Sequence, residues 1–243
     1  MKFAIDIGHN APVDTGAVGI QREDYLTRLV GTKLITLLRS AGHVVVETCP
    51  SSAPTVGYSL SSRVKTANTA NVDLFISIHF NAANFKAHGS ECYALSRTGG
   101  AIAASILDEI VKLGFHNRGV KRANFYVLRH TAMPAVLVEC CFCDSKMDMD
   151  LFDASEMARA IARGLIGELP PIPLELRTLR ITEGTWLKDT VEQAKNLHEH
   201  QKEWLKPSKY QVLGALPCEE GHHWIRLANG KEGFVYAGHC QVS

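Results

Sequence analysis

The sequence has no long hydrophobic run and no excess of charge of either sign. No stretch reaches the roughly 18 apolar residues that a membrane-spanning helix requires, so no membrane insertion is expected. Lysine and arginine total 26 and aspartate and glutamate total 25, which leaves a formal net charge of +1. A chain with so little net charge gives no reason to expect a nucleic acid as partner. The amino terminus also lacks a charged and apolar leader, which predicts synthesis in the cytoplasm without a signal peptide.

Disulfide bonds are not expected either. The seven cysteines are an odd number, and a chain of 243 residues can bury a core without cross-links. Cys140 and Cys143 form a C-x-x-C pair, which raises the hypothesis of a redox enzyme, but no thioredoxin-like pattern accompanies the pair. A zinc finger needs a second close pair, and Cys218 and Cys240 are too far apart to supply it. We therefore expect free thiols that pack as small apolar side chains.

Short apolar runs alternate with longer amphipathic segments through residues 1–169. This alternation predicts an α/β fold with a mostly parallel sheet that is covered by helices on both faces. Strands are predicted at 2–8, 44–46, 74–79, 91–94, 126–128 and 135–139, and helices at 22–41, 59–71, 100–113 and 149–168. Between Ala94 and Val127 the pattern leaves room for one helix and a turn only.

Prolines interrupt this alternation in the segment Leu169-Pro170-Pro171-Ile172-Pro173. Such a segment cannot extend a helix and favours an extended connector. The apolar runs that follow are short and separated by glycine, which predicts a small all-β, barrel-like domain. We therefore predict a first domain at 1–169, a proline-rich linker at 170–175 and a second domain at 176–243.

Two of the predicted strands deliver a histidine to their carboxyl ends. His9 follows the first run, and His79 ends the run that begins at Leu74. Because the carboxyl ends of parallel strands form one edge of a sheet, where ligands bind, we expect the two imidazoles to meet there. With Glu23 close behind His9, they predict a zinc ion held by two nitrogens and a carboxylate. A catalytic zinc has three such protein ligands and an open fourth position.

A further carboxylate, Glu139, ends the apolar run 134–138 and is predicted to reach the same edge of the sheet. Taken alone it would be a solvated and inert side chain. Beside a metal ion it could take a proton from an attacking water molecule and pass that proton to a leaving amine. These residues therefore favour metal-assisted hydrolysis of an amide.

Residues 1–169 also carry an ordered series of motifs. They are Asp6-Ile7-Gly8-His9, Asp14 to Gly19 with Glu23, Arg63 with Ala67-Asn68, Asp73 to Asn81, Val127-Leu128-Arg129, and Met133 to Glu139. In these motifs the chain resembles the zinc-dependent N-acetylmuramoyl-L-alanine amidases of bacterial autolysins and phage endolysins. The resemblance implies His9, Glu23 and His79 as zinc ligands, with Asp24 as the alternative to Glu23. It implies Glu139 as the catalytic carboxylate, and Asn81 and Arg129 as residues that bind substrate.

One departure from the family pattern follows Glu139. The family usually has Gly-Phe, a small residue and asparagine at this point, whereas this chain has Cys140-Cys141-Phe142-Cys143-Asp144. The departure gives the cysteine pair a packing role and leaves the role of Asp144 open.

A second resemblance concerns the carboxyl-terminal segment. It rests on Thr185 to Lys188, Gln193, Leu197, Gly221 to Ile225 and Gly238-His239. These residues resemble the bacterial Src-homology-3-like domain found on cell-wall hydrolases. The resemblance implies a wall-binding module whose aromatic side chains either stack on sugars or fill a small core.

The two resemblances together predict a peptidoglycan hydrolase that uses zinc to cleave the amide between N-acetylmuramic acid and L-alanine. We expect an endolysin-type lytic enzyme that acts on the cell wall after release or lysis, with peptidoglycan as its partner and no obligate protein partner. A zinc peptidase that acts on the stem peptide, a non-catalytic wall-binding protein and a C-x-x-C redox enzyme are the alternatives.

Overall fold

The computed structural model describes residues 1–169, 177–189, 194–218, 221–229 and 231–242. The chain divides into two compact units, Met1–Leu169 and Pro170–Ser243. The predicted linker at 170–175 and Gln193 of the second resemblance lie outside the described residues. Among the helices that are described, none combines the length and the apolar character needed to cross a bilayer.

The first unit is built around one six-stranded sheet. Its elements are β1 (Lys2–Ile7), α1 (Glu23–Ser40), β2 (Val44–Glu47), α2 (Val56–Ala70), β3 (Leu74–Asn81), β4 (Ser90–Ala94), α3 (Arg97–Val111), β5 (Asn117–Lys121), α4 (Tyr126–His130), β6 (Ala135–Phe142), α5 (Lys146–Leu151) and α6 (Ala154–Ile166). The strand order is β2-β1-β3-β6-β4-β5. All neighbouring strands are parallel except β6 and β4, which are antiparallel. The predicted α/β fold with a mostly parallel sheet is confirmed.

Helices cover both faces of this sheet, because the central strands carry apolar side chains on both faces. On one face α1, α3 and α6 pack over a large cluster that includes Ile5, Leu34 and Ile106. On the other face α2 and α4 pack over a smaller cluster that includes Val64 and Leu137. The carboxyl ends of the parallel neighbours β1 and β3 thereby lie side by side at one edge of the sheet.

The strand predicted at 126–128 is wrong, because these residues begin the helix α4. The backbone N–H groups of Leu128 and Arg129 both donate to the carbonyl of Phe125, which closes a helical turn. A short apolar run cannot distinguish a strand from a buried helical turn by periodicity alone. Here the consecutive residues Val127 and Leu128 are both buried in the cluster shared with α2, which only a helical turn accommodates on one face.

The single helix predicted at 149–168 is also wrong, because it consists of α5 and α6. Phe152 and Asp153 between them have extended backbones. The Asp153 side chain accepts hydrogen bonds from the N–H groups of Ser155 and Glu156, both at 2.9 Å, and so caps α6. In addition, β5 was not predicted, because this edge strand has a mostly polar sequence without an apolar run.

The described part of the second unit consists of strands and short 3₁₀ turns. The strands are β7 (Arg177–Ile181), β8 (Thr185–Lys188), β9 (Lys202–Leu205), β10 (Ser208–Cys218), β11 (His222–Leu227), β12 (Glu232–Tyr236) and β13 (Cys240–Val242). They form one sheet in the order β13-β7-β10-β11-β12-β8-β9, with antiparallel pairing throughout. Leu179, Val212, Ile225 and Val235 are buried in its apolar core.

Candidate active site

Three side chains from different elements meet at the carboxyl edge of β1 and β3. His9 lies two residues beyond β1, His79 lies near the end of β3, and Glu23 is the first residue of α1. The Oε1 atom of Glu23 lies 3.1 Å from Nε2 of His9 and 3.1 Å from Nδ1 of His79. Each residue offers a ligand atom within 4.8 Å of the others. The structure therefore brings together the three residues that were predicted as zinc ligands.

Asp24, the alternative to Glu23, has a different partner. Its carboxylate accepts a hydrogen bond of 3.0 Å from Nε of Arg22, whose side chain is largely exposed. The Glu23 carboxylate is buried and also accepts hydrogen bonds from the N–H groups of Ala17 and Phe80. Of the two acidic residues, Glu23 is the one that faces both histidines.

Two glycines leave the space that this cluster occupies. A Cβ atom at Gly8 would lie 2.6 Å from Nε2 of His79, and a Cβ atom at Gly16 would lie 2.7 Å from Oε2 of Glu23. Gly16 also has a φ of +70°, a region that other residues adopt at a cost. A side chain at either position would displace the cluster.

A buried network orients His9. The Oδ1 atom of Asp14 lies 2.6 Å from Nδ1 of His9, which leaves Nε2 to face Glu23. Asp14 accepts a hydrogen bond from the Ser59 hydroxyl, and the buried Arg63 donates to Asp6 at 2.6 Å. Arg63 also donates to the backbone carbonyl of His9, a residue whose φ of 61° is left-handed. These contacts fix both the unusual backbone and the ring orientation of His9.

The cluster favours a positive charge at its centre. Burial alone would lower the pKa of His9, but hydrogen bonds to Asp14 and Glu23 outweigh burial and raise that pKa to about 9. Burial alone would raise the pKa of Glu23, whereas hydrogen bonds to His79 and His9 hold it well below its usual range. The carboxylates therefore stabilise a proton at this point, and a metal cation would meet the same attraction.

Glu139 lies beside this cluster, because it is paired with His79 in the register of β3 and β6. Its Oε2 atom is buried and has no hydrogen-bond partner. Burial is the main cause that raises the pKa of the Glu139 carboxyl to about 7. A carboxyl group with such a pKa can both accept and release a proton near neutral pH.

The four residues line one cleft of about 430 Å³. Its polar side contains His9, Asp14, Glu23, His79, Asn81 and Glu139, and its apolar residues include Val56, Leu60, Phe125, Tyr126 and Val127. Asn81, predicted to bind substrate, therefore faces the cleft. Arg129, predicted for the same role, is exposed on α4 and is not among the cleft-lining residues.

No role was predicted for three residues that the structure places in or next to this site. Asp14 and Arg63 lie within the matched motifs, where a charged residue in an otherwise apolar context was the available signal. Glu91 lies on β4 opposite Glu139 and is buried. Its only signal was a lone acid in a short strand, which normally indicates a solvent-facing side chain.

The cysteine pair has the environment of core residues. Cys140 and Cys143 are fully buried free thiols that belong to the large apolar cluster. Burial raises the pKa of Cys140 well above its usual value and that of Cys143 to about 12. A redox-active thiol requires a lowered pKa, so the geometry does not favour the redox alternative.

Comparisons with known proteins agree on the first unit. Residues 3–167 match the family described as N-acetylmuramoyl-L-alanine amidase. The endolysin of Bacillus phage SPP1 is 34% identical over 171 residues, which are 66% of this chain and 61% of that protein. An N-acetylmuramoyl-L-alanine amidase of Bacillus licheniformis is 36% identical over 170 residues, which are 68% of this chain and 65% of that protein. An uncharacterised Clostridium perfringens protein is 40% identical over 159 residues, which are 63% of this chain and 47% of that protein. The chain thus spans less than two thirds of each of these three curated relatives.

Solved structures give the same result. The catalytic domain of the CD27L endolysin, which targets Clostridium difficile, superimposes with a TM-score of 0.66 at 30% identity, covering 70% of this chain and 99% of that one. The catalytic domain of an N-acetylmuramoyl-L-alanine amidase from Bacillus (Paenibacillus) polymyxa gives a TM-score of 0.60 at 31% identity, covering 67% of this chain and 94% of that one. The family match at residues 3–167 lies within the first unit.

Proposed function

The chain belongs to the N-acetylmuramoyl-L-alanine amidase family, and from this premise we propose that it is a zinc-dependent peptidoglycan hydrolase. The bond it cleaves is the amide between the lactyl group of N-acetylmuramic acid and L-alanine of the stem peptide. The observation that carries the proposal is the convergence of His9, Glu23 and His79 beside the unpartnered carboxyl oxygen of Glu139. This combination provides a metal-binding site and a proton carrier within one cleft.

The donor set fits zinc. Two imidazole nitrogens and one carboxylate are a common ligand set for catalytic zinc. The two nitrogen-to-oxygen distances of 3.1 Å compare with about 3.4 Å between donors at the corners of a tetrahedron around zinc. The room left by Gly8 and Gly16 and the hydrogen bond from His9 to Asp14 support the same assignment. When bound, a zinc ion supplies a Lewis acid that polarises a carbonyl group and makes water nucleophilic at neutral pH.

The residues of the chain perform the remaining work. Glu139 accepts a proton from the attacking water molecule at its unpartnered Oε2 atom. It then delivers this proton to the amide nitrogen, so that the stem peptide leaves as a neutral amine. Asp14 and Arg63 keep His9 in place during this exchange, since both contact it directly.

We propose that Asn81 and Arg129 bind different parts of the substrate. Asn81 lines the cleft, so we propose that its amide contacts the bound substrate. Arg129 is exposed on α4, the helix whose first residue, Tyr126, lines the cleft. Its proposed contact is with a part of the substrate that extends out of the cleft.

We further propose that residues 176–243 form a Src-homology-3-like, barrel-like domain that binds the cell wall, joined by the linker at 170–175. The support is the antiparallel sheet of the second unit and its small apolar core. Trp204 is 47% exposed and lies 5.0 Å from Trp186, ring centre to ring centre. The exposed ring of Trp204, packed against the half-buried Trp186, offers a flat surface for sugar or peptide groups.

Mass spectrometry of the fragments released from purified peptidoglycan tests the proposed function. We expect intact stem peptides that begin with L-alanine, and glycan strands that keep their lactyl groups. Elemental analysis should find one zinc per chain, and a chelator should abolish the release until zinc is restored. Shorter peptides would indicate a zinc peptidase instead, and the absence of fragments from the zinc-loaded protein would indicate a non-catalytic wall-binding protein.

The variant His79→Ala should lose both zinc and activity while it stays folded, because His79 lies at the edge of the sheet rather than in its core. The matched control is His116→Ala, which removes an exposed histidine outside the cleft. It should keep both properties. Full activity in metal-free protein would contradict the mechanism.

A further inference from the structure

A buried carboxylate with two cationic partners lies next to the proposed proton carrier. Glu91 on β4 pairs in register with Glu139 on β6. Its Oε1 atom accepts hydrogen bonds from Tyr93 at 2.7 Å and from Asn81 at 3.1 Å. Its Oε2 atom accepts from Nε of Arg118 at 2.6 Å and from Nζ of Lys121 at 2.5 Å. Both oxygens of Glu91 therefore have partners, and one of these partners, Asn81, lines the cleft.

The group has an excess of positive charge that solvent can reach. Glu91 contributes one negative charge, and Arg118 and Lys121 contribute one positive charge each. The Glu91 side chain is 4% exposed, whereas those of Arg118 and Lys121 are 30% and 39% exposed. One cation is enough to neutralise a buried carboxylate, so the second is available to an anion that approaches from solvent.

The sheet order places this charge at a defined distance from the reaction. Across strands β3, β6 and β4 the register aligns His79, Glu139 and Glu91. Arg118 and Lys121 lie on the next strand, β5, where Lys121 pairs with Tyr93. Because neighbouring strands lie about 4.8 Å apart, β5 is about 10 Å from Glu139. Asn81 connects the cleft with Glu91 and its partners, since it lines the cleft and donates a hydrogen bond to Glu91.

A carboxylate of the stem peptide matches this distance. The second residue of the stem, D-glutamate, is joined through its side-chain carboxyl group, so its α-carboxylate is free. In an extended peptide that carboxylate lies about 7 Å from the nitrogen of the scissile amide. The cationic atoms of Arg118 and Lys121 cover the remaining distance, since both reach Oε2 of Glu91 on the intervening strand β4.

We propose that Arg118 and Lys121 form a carboxylate-binding subsite that recognises the free α-carboxylate of the second stem residue. This inference rests on the proposed amidase function and names the substrate group that lies beyond Asn81, toward β5. Glu91 is a positioning residue in this subsite, because it holds both cations without contacting substrate. Stems in which this carboxylate is amidated bind less well, since the amide keeps the shape but lacks the charge.

The test compares two soluble substrates with the zinc-loaded 243-residue chain. One is N-acetylmuramoyl-L-Ala-γ-D-Glu-L-Lys, and the other has the α-carboxylate replaced by a carboxamide. A charge-assisted hydrogen bond predicts a kcat/KM roughly tenfold higher for the carboxylate form, with the difference in KM. In Lys121→Met the two substrates should become nearly equal. Lys146→Met, which removes an exposed lysine paired with Asp150, should keep the preference.

Two results would overturn the subsite. The first is equal kcat/KM for both substrates in the unaltered protein, a measurement that needs no variant to fold. The second is a Lys121→Met protein that is slower on both substrates by the same factor, because this would indicate a structural role only. Hydrolysis of neither substrate would overturn the proposed function, and the subsite with it, and so is distinguishable from a failure of the subsite alone.

Discussion

Glu139 has surroundings unlike those of an ordinary surface carboxylate. Its Oε2 atom is buried without a hydrogen-bond partner, and burial raises the pKa of the carboxyl to about 7. The variant Glu139→Gln keeps the shape but cannot accept a proton. We expect it to retain zinc and wall binding and to lose turnover by about 100- to 10,000-fold. Release of stem peptides measured against zinc content checks this, and near-normal turnover in the zinc-loaded variant would exclude Glu139 as proton carrier.

Gly16 provides a second prediction for single residues. In Gly16→Ala the added Cβ would lie 2.7 Å from Oε2 of Glu23 and from Cδ2 of His9, so two proposed ligands must move. We expect zinc affinity to fall by roughly 10- to 100-fold, as when groups that orient ligands are altered. Competition with a metal-binding dye measures this affinity.

The control for that variant is Gly42→Ala. Gly42 has a similar positive φ of 81°, but a Cβ there meets nothing within 4 Å. It therefore reproduces the backbone strain without the collision, and zinc affinity should not change. Equal affinities in the two variants would mean that Gly16 does not shape the site.

The convergence of His9, Glu23 and His79 could be predicted from sequence, because parallel strands place their carboxyl ends at one edge. The contacts that hold His9 in place could not be predicted from the sequence. Asp14 reaches Nδ1 of His9 only because a loop with Gly16 in a left-handed conformation folds back. Arg63 contacts the same histidine from α2, and no periodicity in the sequence encodes this long-range contact.

Among the elements, the junction of α5 and α6 shows that a capping residue can end a helix even where the apolar spacing continues. The apolar spacing through 149–168 resembles one helix, but Asp153 ends this continuity by capping α6 with two hydrogen bonds of 2.9 Å. Asp153→Ala removes both bonds, and we expect the free energy of unfolding to fall by about 1 kcal/mol. Urea denaturation of the full-length chain measures this change.

Asp150→Ala is the matched control for this element. Asp150 is exposed and pairs with Lys146 one turn earlier in α5, an interaction worth about 0.3–0.5 kcal/mol. Its removal should therefore have the smaller effect. If both variants unfold at the same urea concentration, Asp153 does not stabilise the start of α6.

The helices with clear apolar spacing, such as α1, could be predicted to within a few residues, because that spacing alone determines which face is buried. Elements that form only because they pair or pack with a neighbouring element could not be predicted in this way. β5 has no apolar run and exists because β4 offers it an edge to pair with. α4 is too short for its periodicity to be read, and its helical turn follows from the packing of Val127 and Leu128 beside α2.

At the scale of the whole molecule, the chemistry and the proposed wall binding belong to different units. His9, Glu23, His79 and Glu139 all lie within Met1–Leu169, and each unit has its own apolar core. A unit with its own core can fold alone. The change from helix–strand alternation to short strands after the proline-rich segment predicts the same separation of functions between the two units.

The fragment 1–169 should therefore be soluble, bind one zinc ion and cleave small muramoyl peptides at the rate of the full chain. On intact walls it should be slower, because a wall-binding module raises the local concentration of the catalytic unit at an insoluble substrate. The fragment 176–243 should sediment with purified wall sacculi, and Trp204→Ala should weaken that association, since Trp204 is 47% exposed. The control is Trp224→Ala, a 5% exposed residue, which should instead destabilise the fold. If 176–243 stays in solution and its removal leaves wall digestion unchanged, the second unit has a role other than wall binding.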